Sequence, residues 1–125
     1  MKKLLSIFMI LVMVLSFSSC SSSKEVKAYV EANQAQVEAT QKATGGVFEK
    51  VEMEARGKSV VYMYTYAEKQ VDKDTVLLLE ESFDSTQDAM QEVLVLMRDN
   101  CPQIESVIYE YYNGSGKLLM TREYK

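Results

Sequence analysis

The chain of 125 residues has no histidine and no tryptophan, only two cysteines and a single proline. Each absence removes a class of chemistry. Without histidine there is no Ser-His-Asp or Cys-His arrangement, no histidine-containing zinc site, and not the commonest general base. Two cysteines are too few for a cysteine-only metal site. Basic clusters are missing as well. The 14 lysines and arginines are outnumbered by 18 acids and interleaved with them. That dispersal argues against nucleic-acid binding, which needs phosphates neutralised by grouped cations, and against electrostatic attachment to anionic lipid.

The carboxylates do not fill the gap. Asp72, Asp74, Glu80 and Glu81 lie close in sequence, but the glycine and the regular oxygen spacing of a calcium loop are lacking. Asp72 reads as a helix cap. No spacing suggests two acids facing across a cleft, as glycoside hydrolysis requires. The expectation is a non-enzymatic protein with no catalytic residues, no cofactor and no metal.

What the sequence does contain begins at its start. Met1-Lys2-Lys3 is a short positive segment, and Leu4 to Leu15 is apolar apart from one serine. That run is nearer the roughly 7–15 apolar residues of a secretory signal than the roughly 20 needed to span a bilayer. The small residues Ser16, Ser18 and Ser19 follow it, and then Cys20. Phe17-Ser18-Ser19-Cys20 resembles the lipobox of bacterial lipoproteins, with Phe17 where an aliphatic residue is usual. The resemblance implies that residues 1–19 are a signal peptide and that Cys20 becomes the lipidated N-terminus. The protein would then be held on the extracytoplasmic face of the cell membrane. More than one acyl chain anchors firmly where one binds only marginally. Lipidation would also occupy the Cys20 sulfur, leaving Cys101 as the one free thiol, read here as a small buried residue at a helix end. Removing 19 residues leaves 106. Removing Lys2 and Lys3 leaves 12 basic against 18 acidic residues, a mature charge of −6. That length suffices for one domain with its own core.

Residues 20–23 read as lipidated cysteine and short serine linker. Ser22 and Glu25 fit a capping box opening a helix over 24–44, ended by Gly45-Gly46. Its large apolar residues, Val26, Tyr29, Val30 and Val37, form a narrow stripe, so the helix either packs lightly or serves as a stalk. Residues 45–125 then read as an α+β domain. Val51, Met53 and Ala55 alternate with charges as in a half-buried strand, and "SVVYMYTYA" returns after Gly57 as a second. Asp72 to Thr75 starts a long helix. Its stripe is Val76, Leu79, Phe83, Thr86, Met90, Val93 and Met97, with Asp84-Ser85 able to kink or restart it. Asn100-Cys101-Pro102 stops it. "SVIYEYY", "NGSGK" and "LLMTREY" read as a closing hairpin. The predicted order is α-β-β-α-β-β, a four-stranded antiparallel sheet with the long helix on one face. VVYMYTY and VIYEYY look alike but sit at different places in their hairpins, so duplication is not inferred.

From about Gly45 to Tyr124, V-Y-x-Y-x-Y, V-D-x-D-T-V with E-E-S-F-D-S, and I-Y-E-Y-Y-N-G-S-G resemble a family of small lipoproteins of low-GC Gram-positive bacteria. That family is known only as a domain of unknown function. The resemblance implies a membrane-tethered extracytoplasmic domain and transfers no catalytic residue.

Tyrosines are the most informative remaining group. Tyr62, Tyr64 and Tyr66 share one strand face, and Tyr109 and Tyr111 share another. Were these faces to coincide and stand open, they would form an aromatic platform for a protein, peptide or glycan. A face covered by helix produces the same pattern. The opposite positions, Val61, Met63, Thr65 and Ala67, are also fairly apolar, so alternation alone does not choose the covered side. Three readings follow: a lipid-anchored binding or accessory module of the cell envelope, which is preferred; a histidine-free envelope enzyme using carboxylates; and a self-associating structural surface protein, for which a homo-dimer is one form.

Overall fold

The computed structural model describes residues 23–125. The expected signal peptide and Cys20 lie outside the described residues. Within them the order is α1 (Ser23–Ala32), α2 (Gln34–Ala43), β1 (Phe48–Arg56), β2 (Ser59–Tyr66), α3 (Lys73–Ser85), α4 (Gln87–Asn100), β3 (Ser106–Tyr112) and β4 (Leu118–Tyr124). The class is mixed α+β with a four-stranded sheet in the order β1-β2-β3-β4.

Both long helices of the expected order are divided. The first breaks at Asn33, which is buried and donates from Nδ2 to the Tyr29 carbonyl at 2.7 Å. That bond satisfies a carbonyl by side chain where the helix would otherwise continue. The second breaks at Thr86 (φ −112°, ψ 18°). Thr86 Oγ1 donates to the Ser82 carbonyl at 2.6 Å, and Ser85 Oγ donates to the same oxygen at 3.1 Å. Two hydroxyls crowd one acceptor there, where the helix is interrupted. Asp72 stands at the N-cap of α3 in extended conformation, but its carboxylate makes no capping hydrogen bond.

The sheet is mixed, not antiparallel throughout. β1–β2 and β3–β4 are antiparallel hairpins, while β2 and β3 run parallel. The α3–α4 crossover supplies the reason. A helical connection carries the chain from the end of one strand back to the start of the next, which makes adjacent strands parallel. The first hairpin turns at Gly57 (φ +64°), followed by Lys58 with negative φ. A glycine at the first of two turn positions is the pattern of a II′ turn, whose twist suits a tight hairpin.

One face of this sheet carries all the helices. Val26, Tyr29, Val30 and Val37 from α1 and α2 join a single cluster with Leu79, Phe83, Met90, Val93, Leu94 and Met97 from α3 and α4. The first helical segment is therefore packed, with Val26 and Tyr29 fully buried, in place of a stalk. A bulge between Phe48 and Lys50 shifts the alternation of β1, so that both Phe48 and Val51 point into the core. An extra residue that flips every later side chain is the known effect of a bulge. Cys101 is fully buried at the end of α4.

The tyrosines form the floor of this core. Tyr62 stacks on Tyr109 (centroids 5.3 Å, interplanar 11°) and Tyr64 on Tyr111 (4.5 Å, 9°). Phe48 leans on Tyr64 and Tyr66, and Phe83 sits against Tyr109 and Tyr111. Truncating Phe83 to alanine removes the ring that closes this floor from above. The expected loss is about 3–5 kcal/mol, read as a lowered urea midpoint at unchanged m-value. Gly114 gives a second test. Its amide donates to the Glu68 carbonyl at 2.7 Å, and an added Cβ would lie 2.9 Å from that oxygen. Gly114→Ala should cost about 1–3 kcal/mol in the same assay, whereas Gly45, whose Cβ would meet nothing closer than 3.5 Å, should tolerate alanine.

Candidate functional site

The five tyrosines offered as an interaction face do come together on one side of β2 and β3, but that side is the helix-covered one. Tyr62, Tyr64, Tyr66, Tyr109 and Tyr111 are all at most 5 % exposed. An open aromatic platform is thus replaced by a core. Burial raises the pKa of all five phenols, with Tyr66 pushed up to about 12. They stay neutral and unavailable for acid–base work. Cys20, the expected lipidation site, lies outside the described residues.

Surface features concentrate in two places. The first is the bare face of the sheet, opposite the helices. There Arg56 of β1 donates to both carboxylate oxygens of Glu110 on β3, at 3.0 and 3.2 Å. Because β2 lies between those strands, the pair passes over it. Val61, an outward position of β2, is fully buried although no described helix covers this face; the bridge above accounts for its burial. Tyr112 Oη donates to Glu110 Oε1 at 2.7 Å, and Arg56 Nε bonds Glu54 at 3.2 Å. Beside this network is an open hollow of about 430 Å³ between Glu49, Lys50, Glu52, Met63 and the Gly114–Gly116 turn.

The second place is a groove between the start of α3 and the start of β4. It is an open cavity of about 620 Å³. Val71, Val76, Leu77, Leu118 and Leu119 form its walls, and Lys73 and Lys117 stand on its rim. Two of its leucines are exposed, Leu77 at 54 % and Leu118 at 45 %, as are Val95 and Leu96 on α4 away from the groove. The β3–β4 loop that shapes one end is held by Asn113, whose Oδ1 accepts from the amides of Ser115 and Lys117 at 2.9 Å each. Gly116 (φ +87°) completes that loop. Gly114 fastens it to Glu68 in the β2–α3 connection. The groove is therefore shaped by two tied loops. Its lining mixes these aliphatic walls with Gln70, Lys73, Asn113 and Lys117, and a concave surface that pairs apolar walls with a few polar groups is a common form of binding site.

The groove went unmarked in the sequence, although one signal was there. Leu77, Leu78 and Leu79 are consecutive, and a single helical stripe uses only one of the three.

Glu110 makes the bare face sensitive to acid. The hydrogen bonds from Arg56 are the largest cause holding its carboxyl below the ordinary 4.5, with Tyr112 helping and burial opposing. A carboxyl with a lowered folded pKa contributes stability that is complete above its unfolded value. That contribution fades as pH falls from 4.5 through the lowered value. Glu110→Gln should therefore be less stable than the parent at about pH 7, with the gap narrowing steadily as pH falls below 4.5 in parallel urea titrations.

A model of the family described as Domain of unknown function (DUF4854) matches residues 19–124. No curated protein and no solved structure matches.

Proposed function

This chain belongs to the family described as Domain of unknown function (DUF4854), and from that membership and the geometry above we propose a lipid-anchored, extracytoplasmic binding module of the cell envelope. The observation that carries the binding role is the apolar groove with Leu77 and Leu118 laid bare at its walls. Leaving about half of each of these leucines in water forgoes roughly 1 kcal/mol each, which is understandable where a partner covers them. The tether is supported by the Phe17-Ser18-Ser19-Cys20 segment behind its apolar run. A non-enzymatic role is favoured by the state of Glu110. Among the described residues it is the one buried acid, and it is already engaged by Arg56 and Tyr112, so its oxygens are committed to structure.

The test uses the full chain expressed in a Gram-positive host. Intact mass of the membrane-extracted protein should begin at Cys20 with a diacylglyceryl group added, and Cys20→Ala should abolish both cleavage and lipid. A mature mass without lipid would overturn the tether. A photo-reactive residue placed at Leu118 should yield discrete adducts in that envelope, while one at the exposed Asp88 should not. Equal labelling from both positions would remove the groove as the binding surface.

A further inference from the structure

The two edges of the sheet are treated differently. On β1, Gln34 Nε2 donates to the Met53 carbonyl at 3.0 Å and Gln41 Nε2 to the Glu49 carbonyl at 2.8 Å. Side chains of α2 thus occupy acceptors that an added strand would need. β4 forms the other edge, and among the described residues no side chain bonds its backbone. Unpaired strand edges are normally blunted, because a row of free N–H and C=O groups recruits another strand.

The bare edge and the apolar groove are one continuous surface. Leu118 and Leu119 line the groove and are also the first two residues of β4. Lys117 precedes them directly, and Lys73 faces them from α3. Asp72 and Asp74 flank Lys73 in sequence but do not line the groove. The groove end of β4 therefore presents ammonium groups on a molecule whose overall charge is negative.

Resting on the binding role above, we infer that β4 accepts an extended peptide segment as a fifth strand, with an apolar side chain of that segment in the groove and acidic side chains beside it. Main-chain pairing along β4 supplies the attachment, as in other strand-addition sites. The Val71, Val76, Leu77, Leu118 and Leu119 walls select an aliphatic residue, and Lys73 and Lys117 select carboxylates next to it. The partner is thus a protein with an exposed extended segment of aliphatic and acidic composition.

The experiment uses the detergent-extracted full chain and a fluorescein-labelled synthetic peptide of eight residues. The peptide alternates threonine with valine and carries a central leucine flanked by glutamates. A second peptide has lysines in place of the glutamates. Fluorescence anisotropy should show saturable binding of the acidic peptide, at least about tenfold tighter than of the basic one. The double variant Lys73→Glu plus Lys117→Glu should reverse that order. Peptides N-methylated at every second residue give the strand test without disturbing the protein. Methylation in one phase should abolish binding, and methylation in the other should leave it intact. Equal binding of both charge types would overturn the acidic selection, and loss of binding in both methylation phases or in neither would overturn strand addition. So would a peptide-free dimer in sedimentation that is broken by Leu118→Glu, since a second copy would then hold the edge. Adducts at Leu118 in the envelope without any peptide binding would leave the binding module standing and remove this inference alone.

Discussion

Tyrosine rings stacked across the parallel β2–β3 pair are the contact on which the rest of the molecule depends. A parallel ladder in register brings equivalent positions side by side, and here both strands carry tyrosine at those positions: Tyr62 beside Tyr109 and Tyr64 beside Tyr111. Their near-parallel planes, 11° and 9° apart, follow from two identical side chains leaving two equally directed strands. Offset stacking adds about 0.5–1.5 kcal/mol per pair to the burial of the rings themselves. The stacked rings form the floor of the cluster that the helices cover. Phe83 from the crossover and Phe48 from β1 fill the relief that the stacked rings leave.

This explains a resemblance inside the chain that is otherwise puzzling. VVYMYTY and VIYEYY match because they are the two central strands of one sheet, paired residue for residue from Val60 with Val107 to Tyr64 with Tyr111. They share an environment, and the environment selects the residues. Where it differs the residues part company: Met63 is paired with Glu110, on the face where Glu110 meets an arginine.

Most of the elements were legible from periodicity. The stripe from Val76 to Met97 names the buried side of α3 and α4 with Leu94 as its one omission, and the strands lie where alternation puts them. Strand direction was not legible, because a crossover helix and a return loop leave the same apolar pattern in the strands they join. Nor was the covered face. Val61, Met63 and Ile108 make the bare side look half-buried, and the reason is a cross-strand ion pair between residues 54 positions apart, which no local pattern reports. The helix breaks coincide with side-chain hydrogen bonds to backbone carbonyls from Asn33, Ser85 and Thr86. The groove is formed by segments some forty residues apart in sequence, so the sequence disclosed only its out-of-phase leucines.

The glutamines on β1 have a consequence for how many copies can gather. Growth of a sheet without limit requires each molecule to offer two compatible edges, one for the neighbour ahead and one for the neighbour behind. Gln34 and Gln41 close one of them. Any association along β4 therefore ends after a single step, as a pair or a complex of defined size. That asymmetry separates a sheet that can take one added strand from a seed for fibrils.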